Sequence, residues 1–121
     1  MSRILVVDDE QLVRDLTVQV LQRAGYTVVP VATAQGALEL LKSERFDLVV
    51  TDVVMPGLSG VELLNEIRDR RPDLPVLLIT GGSPDPDRTT SALDLGAAGI
   101  VYKPFSHADL TAAVSAALDE A

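Results

Sequence analysis

Five polar residues whose side chains suit phosphate or metal chemistry each follow a short apolar run in this chain. They are Asp8 and Asp9 after the first run, Asp52 after the second, Thr80 after the third and Lys103 after the fourth. Two carboxylates about 4 Å apart in a partly screened site repel each other by about 4 kcal/mol, so a cluster of acids favours a bound cation. Oxygen ligands that leave room for water suit Mg²⁺.

A carboxylate beside such a cation can attack a phosphoryl group in line and become an aspartyl phosphate. Asp52 is the candidate nucleophile, because it ends an apolar run and is followed by a Pro-Gly turn. Lys103 would bring positive charge to the transferred oxygens, and the Thr80 hydroxyl would donate a hydrogen bond to them. These residues predict phosphoryl chemistry if the fold brings them together.

The elements that would position these residues alternate between strand and helix along the chain. Apolar runs rich in β-branched residues predict strands, and the amphipathic segments between them predict helices. Right-handed crossovers then favour an α/β fold, (βα)5, with a doubly wound five-stranded parallel sheet in the order 2-1-3-4-5. The first and third strands are neighbours in that order, so Asp8, Asp9 and Asp52 are expected to meet at the carboxyl edge of the sheet.

The first helix is expected to begin after the two acids and to end at a glycine. Its apolar residues Val13, Leu16, Val20 and Ala24 follow a helical spacing. Gly25 stops the pattern at a position that favours glycine.

Capping residues predict where three later helices begin. Thr33 and Ser106 are candidate N-caps of the second and last helices, and Ser59 to Glu62 has the form of a capping box for the third. The fourth helix, roughly Asp87 to Leu95, has few apolar residues and is expected to be the least stable.

The bulk composition narrows the class of protein. A chain of 121 residues with 47% hydrophobic content can bury one core, so we expect a single domain over residues 1–121. A net charge of -8 argues against direct nucleic-acid binding and favours protein partners. The chain has no cysteine for a disulfide or zinc site, and no signal peptide or membrane span is evident, so a cytoplasmic protein with no membrane role is expected.

The sequence closely resembles the receiver domain of bacterial two-component response regulators, a flavodoxin-like fold. The resemblance covers nearly the whole chain. Four motifs stand in the order of that family: Val6-Val7-Asp8-Asp9-Glu10, Thr51-Asp52-Val53-Val54-Met55-Pro56-Gly57 with Gly60, Ile79-Thr80-Gly81 and Lys103-Pro104-Phe105. Each motif alone is weak, whereas all four at these spacings are highly specific.

The resemblance implies a phosphorylation switch rather than an enzyme. Asp52 would accept phosphate from a sensor histidine kinase or a histidine phosphotransfer protein. Asp9, Asp52 and the backbone carbonyl of Val54 would bind Mg²⁺, with Asp8 helping through water.

The resemblance also assigns the residues that respond to the phosphate. Thr80 would move toward the phosphoryl group, the amide of Gly81 would assist, and Lys103 would pair with it. Lys103-Pro104 is usually a cis peptide in this family. The fourth helix, the fifth strand and the last helix would form the face that binds a downstream protein or makes a dimer.

Three positions depart from the family pattern. Ile100 stands where the family often has an aromatic residue that swings inward, and Tyr102, beside the lysine, is a different position. Val54 and Gly82 stand where the family tunes phosphate loss, and neither side chain can orient an attacking water. Slow, unassisted autodephosphorylation is therefore expected.

Three other functions compete with this interpretation. An aspartate-nucleophile phosphatase would have a second Asp at the position of Val54, and flavin binding would need hydroxyl and glycine residues in place of Asp8, Asp9 and Glu10. A phosphate-independent interaction module is the third. The chain is expected to be free-standing or to be the receiver part of a longer regulator or hybrid kinase.

Overall fold

A computed structural model of the protein describes residues 2–53, 60–80, 96–103 and 105–119, apart from the side chain of Val61. The strands are β1 (Arg3–Val7), β2 (Thr27–Val31), β3 (Leu48–Asp52), β4 (Val76–Thr80) and β5 (Gly99–Tyr102). The helices in this part of the chain are α1 (Gln11–Arg23), α2 (Ala34–Ser43), α3 (Gly60–Arg70) and the C-terminal helix (His107–Asp119). The predicted fourth helix, the Pro-Gly turn and the Ser59 cap lie outside the described residues.

The strands form one parallel sheet in the order β2-β1-β3-β4-β5, which confirms the predicted fold. Every residue of the central strand β3 is buried. Because successive side chains of a strand point to opposite faces of the sheet, the strands contribute to two separate cores. One core packs against α2 and α3, and the other packs against α1 and the C-terminal helix. This three-layer arrangement leaves the carboxyl edge of the sheet available for a site.

The buried face of α1 is not simply the face that carries its apolar spacing. Leu16 belongs to that spacing, but it is 44% exposed. Thr17 and Leu21 are buried instead, together with Val20. The Thr17 hydroxyl can be buried because it donates a hydrogen bond of 2.8 Å to the carbonyl of Val13. The stripe that packs on the sheet is therefore rotated from the one that the apolar residues alone indicated.

The predicted caps and stop signal that lie within the described residues are confirmed. The Thr33 hydroxyl accepts a hydrogen bond of 3.0 Å from the amide of Gly36 at the start of α2. At the C-terminal helix, the Ser106 hydroxyl accepts from the amide of Asp109, and the Asp109 carboxylate accepts from the amide of Ser106. Gly25 follows α1 with a φ of 101°. Within the described residues, no helix combines the length and apolar character needed to cross a membrane.

Candidate functional site

Three carboxylates come together where β1 and β3 end. The two strands are paired in parallel, with Val7 opposite Thr51, so the residues that follow lie side by side. Oxygens of Asp8, Asp9 and Asp52 all lie within 4.8 Å of one another. Asp8 and Asp52 are buried and Asp9 is exposed. The cluster therefore has a closed side within the protein and an open side toward solvent.

Lys103 supplies a positive charge to this cluster. Its Nζ donates a hydrogen bond of 3.1 Å to Oδ2 of Asp52 and lies 3.9 Å from Oδ2 of Asp8. Its side chain is 21% exposed. The amide of Lys103 also donates a hydrogen bond of 2.7 Å to the carbonyl of Thr80. That bond ties the end of β5 to the end of β4 and directs the lysine toward the acids.

The electrostatics of the cluster change two protonation equilibria. Burial is the main reason why the pKa of Asp8 is raised, and the charge of Asp52 adds to the effect; the Glu10 amide and Lys103 oppose it. For Lys103, burial is the largest single influence and lowers the pKa. The hydrogen bond and charge of Asp52, with the charges of Asp8 and Glu10, outweigh burial and raise it. The cluster thus stabilises positive charge and penalises further negative charge.

Asp8 is bonded through its backbone and its side chain. Its amide donates a hydrogen bond of 3.2 Å to the carbonyl of Val31 at the end of β2. Its Oδ1 accepts a hydrogen bond of 2.9 Å from the amide of Glu10. Its carbonyl accepts a hydrogen bond of 2.8 Å from Nη1 of Arg14. Arg14 is not among the site residues predicted from the sequence. The signal that would have found it is its charge, because a cation near a helix N-terminus opposes the helix dipole.

The backbone of Asp52 lies against Gly60. A Cβ atom at position 60 would clash with the carbonyl oxygen of Asp52 and lie 2.8 Å from the Cα of Val53. The amide of Gly60 donates a hydrogen bond of 2.9 Å to the Val53 carbonyl. The Thr51 hydroxyl donates a hydrogen bond of 3.1 Å to the Asp52 carbonyl. These contacts position the peptide that carries Asp52. In the sequence Gly60 was recognised only as part of a motif, since this close approach is a tertiary contact.

The other predicted site residues lie at or near the same edge, or outside the described residues. Thr80 ends β4, half-buried, and is paired with Tyr102 in the register of β4 and β5. Ile100 is partly buried and packs against the core on the side of α2 and α3. The three remaining predicted residues, Val54, Gly81 and Pro104, lie outside the described residues.

The donor set suits one kind of cation. All three side chains offer carboxylate oxygen, which hard cations such as Mg²⁺ prefer, and their oxygens are close enough to share a single ion. The open side next to Asp9 leaves room for water or a phosphate oxygen as additional ligands. The residues present therefore fit a divalent cation.

Comparisons with known proteins agree with this geometry. The family model of the response regulator receiver domain matches residues 4–115. The chain therefore belongs to the receiver domain family of response regulators, the signalling proteins of two-component systems. Members of this family receive phosphoryl groups from histidine kinases.

Individual relatives support the same assignment. The regulatory protein VanR of Enterococcus faecium is 37% identical over 117 residues, which are 97% of this chain and 50% of VanR. A receiver domain structure from Clostridium thermocellum has 30% identity and a TM-score of 0.90, covering 99% of this chain and 96% of that one. The chemotaxis protein CheY4 of Vibrio cholerae has 29% identity and a TM-score of 0.90, covering 97% and 98%. The chain spans about half the length of curated relatives such as VanR.

Proposed function

We propose that this domain is a switch operated by phosphorylation of Asp52. The observation that carries the proposal is the position of Asp52, which is within 4.8 Å of two other acids and 3.1 Å from the ammonium of Lys103. A nucleophilic carboxylate, a cluster that suits a divalent cation and a fixed positive charge are the parts that phosphoryl transfer needs. The phosphoryl donor would be a sensor histidine kinase or a histidine phosphotransfer protein.

The transfer needs no oxidant or reductant. An oxygen of Asp52 forms a bond to phosphorus while the bond from phosphorus to the donor's imidazole nitrogen breaks. The electron pair of that bond returns to the imidazole, which leaves with its ring neutral after proton exchange with water. Asp52 becomes a mixed anhydride of aspartic and phosphoric acids. Lys103 then contacts a phosphoryl oxygen in place of the Asp52 oxygen that it contacts now.

The acid cluster would be the Mg²⁺ site. Asp9, Asp52 and the backbone carbonyl of Val54 would be ligands, and Asp8 would act through water. When bound, the ion offsets the charge that builds up between the carboxylates and the phosphoryl oxygens. Lys103, which contacts both Asp52 and Asp8, would hold the Asp52 carboxylate in place.

The response to phosphate would pass through β4 and β5. Thr80, with the amide of Gly81, would move to the phosphoryl group, and Pro104 and Tyr102 would support Lys103 and the strand. Adding about two negative charges there would shift the equilibrium between two arrangements of the loops. A shift from mostly off to mostly on needs about 5.5 kcal/mol of differential interaction. Because Ile100 is branched and aliphatic, its side chain would make a smaller movement than an aromatic one.

The output would be protein binding rather than catalysis. The predicted fourth helix, β5 and the C-terminal helix would form the face that binds a downstream protein or a second copy. Residues 1–121 would be one receiver domain that assists its own phosphorylation. Autodephosphorylation would be slow, because Val54 and Gly82 cannot orient water.

The test is intact-mass measurement after incubation with Mg²⁺ and acetyl phosphate, with Asp52→Asn as the matched variant. We expect one added phosphoryl group on the parent and none on the variant. When a chelator removes the metal throughout the incubation, the parent should form no adduct. An adduct on Asp52→Asn would place the phosphoacceptor elsewhere. No adduct on the parent, under conditions that modify another receiver domain, would favour the phosphate-independent module.

A further inference from the structure

We propose that Arg14 is a positioning residue for the metal site, because it sets the orientation of the peptide group that joins Asp8 to Asp9. This inference rests on the proposed function. The carbonyl that accepts from Arg14 Nη1, at 2.8 Å, is the carbonyl of Asp8, and the same peptide unit leads directly into Asp9. Arg14 does not touch the carboxylates themselves in this interaction, so its effect passes through the backbone.

The orientation of the Asp9 side chain depends on this peptide group more than the orientation of the Asp8 side chain does. Asp8 is also fixed by the hydrogen bonds of its amide to Val31 and of its Oδ1 to Glu10. The Asp9 side chain is exposed and, within the part of the chain that the structure describes, makes no hydrogen bond or ion pair. Its direction toward the cluster is therefore determined by the backbone. If the Asp8 carbonyl lost its partner, the peptide plane could rotate and carry the Asp9 carboxylate away from Asp52.

The position of Arg14 in α1 is unfavourable for the helix alone. It is the fourth residue of α1, near the positive end of the helix dipole, and the first turn contains no acidic residue. Glu10, at the N-cap, makes no side-chain capping hydrogen bond. A cation placed against local preference indicates a role elsewhere, and the bond to Asp8 provides one. Arg14 is half-buried, so that bond is partly shielded from water.

Two roles for Arg14 predict opposite changes in metal affinity. If the residue acted only as a nearby positive charge, its removal would tighten Mg²⁺ binding by reducing repulsion. If it positions the peptide, its removal should weaken binding, because partners that orient metal ligands typically contribute about 10-fold to 100-fold in affinity. The sign of the change in Mg²⁺ affinity therefore distinguishes the two roles of Arg14.

The experiment is calorimetric Mg²⁺ titration of the parent, Arg14→Lys, Arg14→Gln and Arg14→Met, none of which needs phosphorylation. We expect Arg14→Met to bind about 10-fold more weakly. Arg14→Lys, which keeps both charge and a donor, should remain within about threefold of the parent. Arg14→Gln, which keeps a donor without the charge, should bind more tightly than Arg14→Met. Arg23→Gln, in the exposed last turn of α1, is the control for loss of one positive charge.

Urea unfolding without metal shows whether each variant remains folded. Unchanged or tighter Mg²⁺ binding by a folded Arg14→Met would overturn the inference and leave the proposed function standing. Failure of the parent to bind Mg²⁺ would overturn both. The amide resonance of Asp9 gives a second measurement: its chemical shift should move in metal-free Arg14→Met and remain near the parent value in Arg14→Lys.

Discussion

Replacing Asp8 by asparagine should stabilise the metal-free protein and weaken its stabilisation by Mg²⁺. Asp8 is 2% exposed, and it shares its site with two other acids. Asparagine has the same shape and retains the oxygen that accepts from the amide of Glu10. The substitution therefore removes the charge while preserving the hydrogen bond that orients the residue.

The expected change in the free energy of unfolding follows from the distances between the charged groups. At 4.8 Å, the largest separation within the cluster, repulsion between Asp8 and Asp52 is about 3.5 kcal/mol at an effective dielectric constant of about 20. The attraction between Asp8 and Lys103 at 3.9 Å is about 4 kcal/mol on the same scale. These contributions nearly cancel, so the burial of the Asp8 charge, which is the largest influence on its pKa, decides the outcome. We expect Asp8→Asn to raise the free energy of unfolding by about 1 to 3 kcal/mol.

The difference in stability between Asp8→Asn and the parent should increase with pH. Because the folded-state pKa of Asp8 is raised above its ordinary value of 3.8, protonated Asp8 favours the folded state. That contribution is fully present below pH 3.8 and is lost as the pH rises through the folded-state pKa. The stability advantage of Asp8→Asn over the parent should therefore grow across that interval and level off above it.

The assay is urea unfolding followed by far-UV circular dichroism, with and without Mg²⁺, across pH. At ten times its dissociation constant, Mg²⁺ should stabilise the parent by about 1.4 kcal/mol and Asp8→Asn by clearly less. Asp15→Asn, an exposed acid in α1, controls for net charge and should change stability by less than about 0.5 kcal/mol. If metal-free Asp8→Asn is less stable than the parent while the control is unchanged, the electrostatic reasoning is wrong.

Three further changes test separate parts of the structure. Lys103→Met should abolish most phosphorylation by acetyl phosphate, measured by intact mass. It should also remove a stabilising contribution that in the parent is present below pH 10.5 and lost as the pH rises through the raised pKa of the lysine; identical alkaline unfolding curves would contradict this. Gly60→Ala should lower stability by about 2 kcal/mol or more and slow phosphorylation, because the added methyl clashes with the Asp52 carbonyl. Gly36→Ala should cost less in urea unfolding, because the nearest atom to its added methyl is the Thr33 hydroxyl oxygen at 3.1 Å and the Val31 side chain is at ordinary contact distance. Thr33→Ala should cost about 1 kcal/mol through loss of the α2 cap without changing the phosphorylation rate, and Thr33→Ser should restore most of the loss.

The sequence by itself determined the sheet and the residues at its edge. Apolar runs that end in Asp8, Asp52 and Thr80 could be recognised because buried parallel strands are short and continuous in their hydrophobicity. Parallel order then places their carboxyl ends together without any knowledge of side-chain packing. Local caps were equally readable, since Thr33 and Ser106 bond within their own helices.

Only the tertiary structure decided which faces and contacts the elements use. Leu16 and Thr17 are neighbours on α1, and the hydrophobic period alone favoured Leu16, whereas packing against the sheet buries Thr17. Arg14 and Gly60 gained their importance from contacts with the backbones of Asp8 and Asp52. Hydrophobic spacing reports the preference of one segment for burial. The direction of a guanidinium or the space beside a carbonyl depends on two segments at once, and it exists only when both have folded.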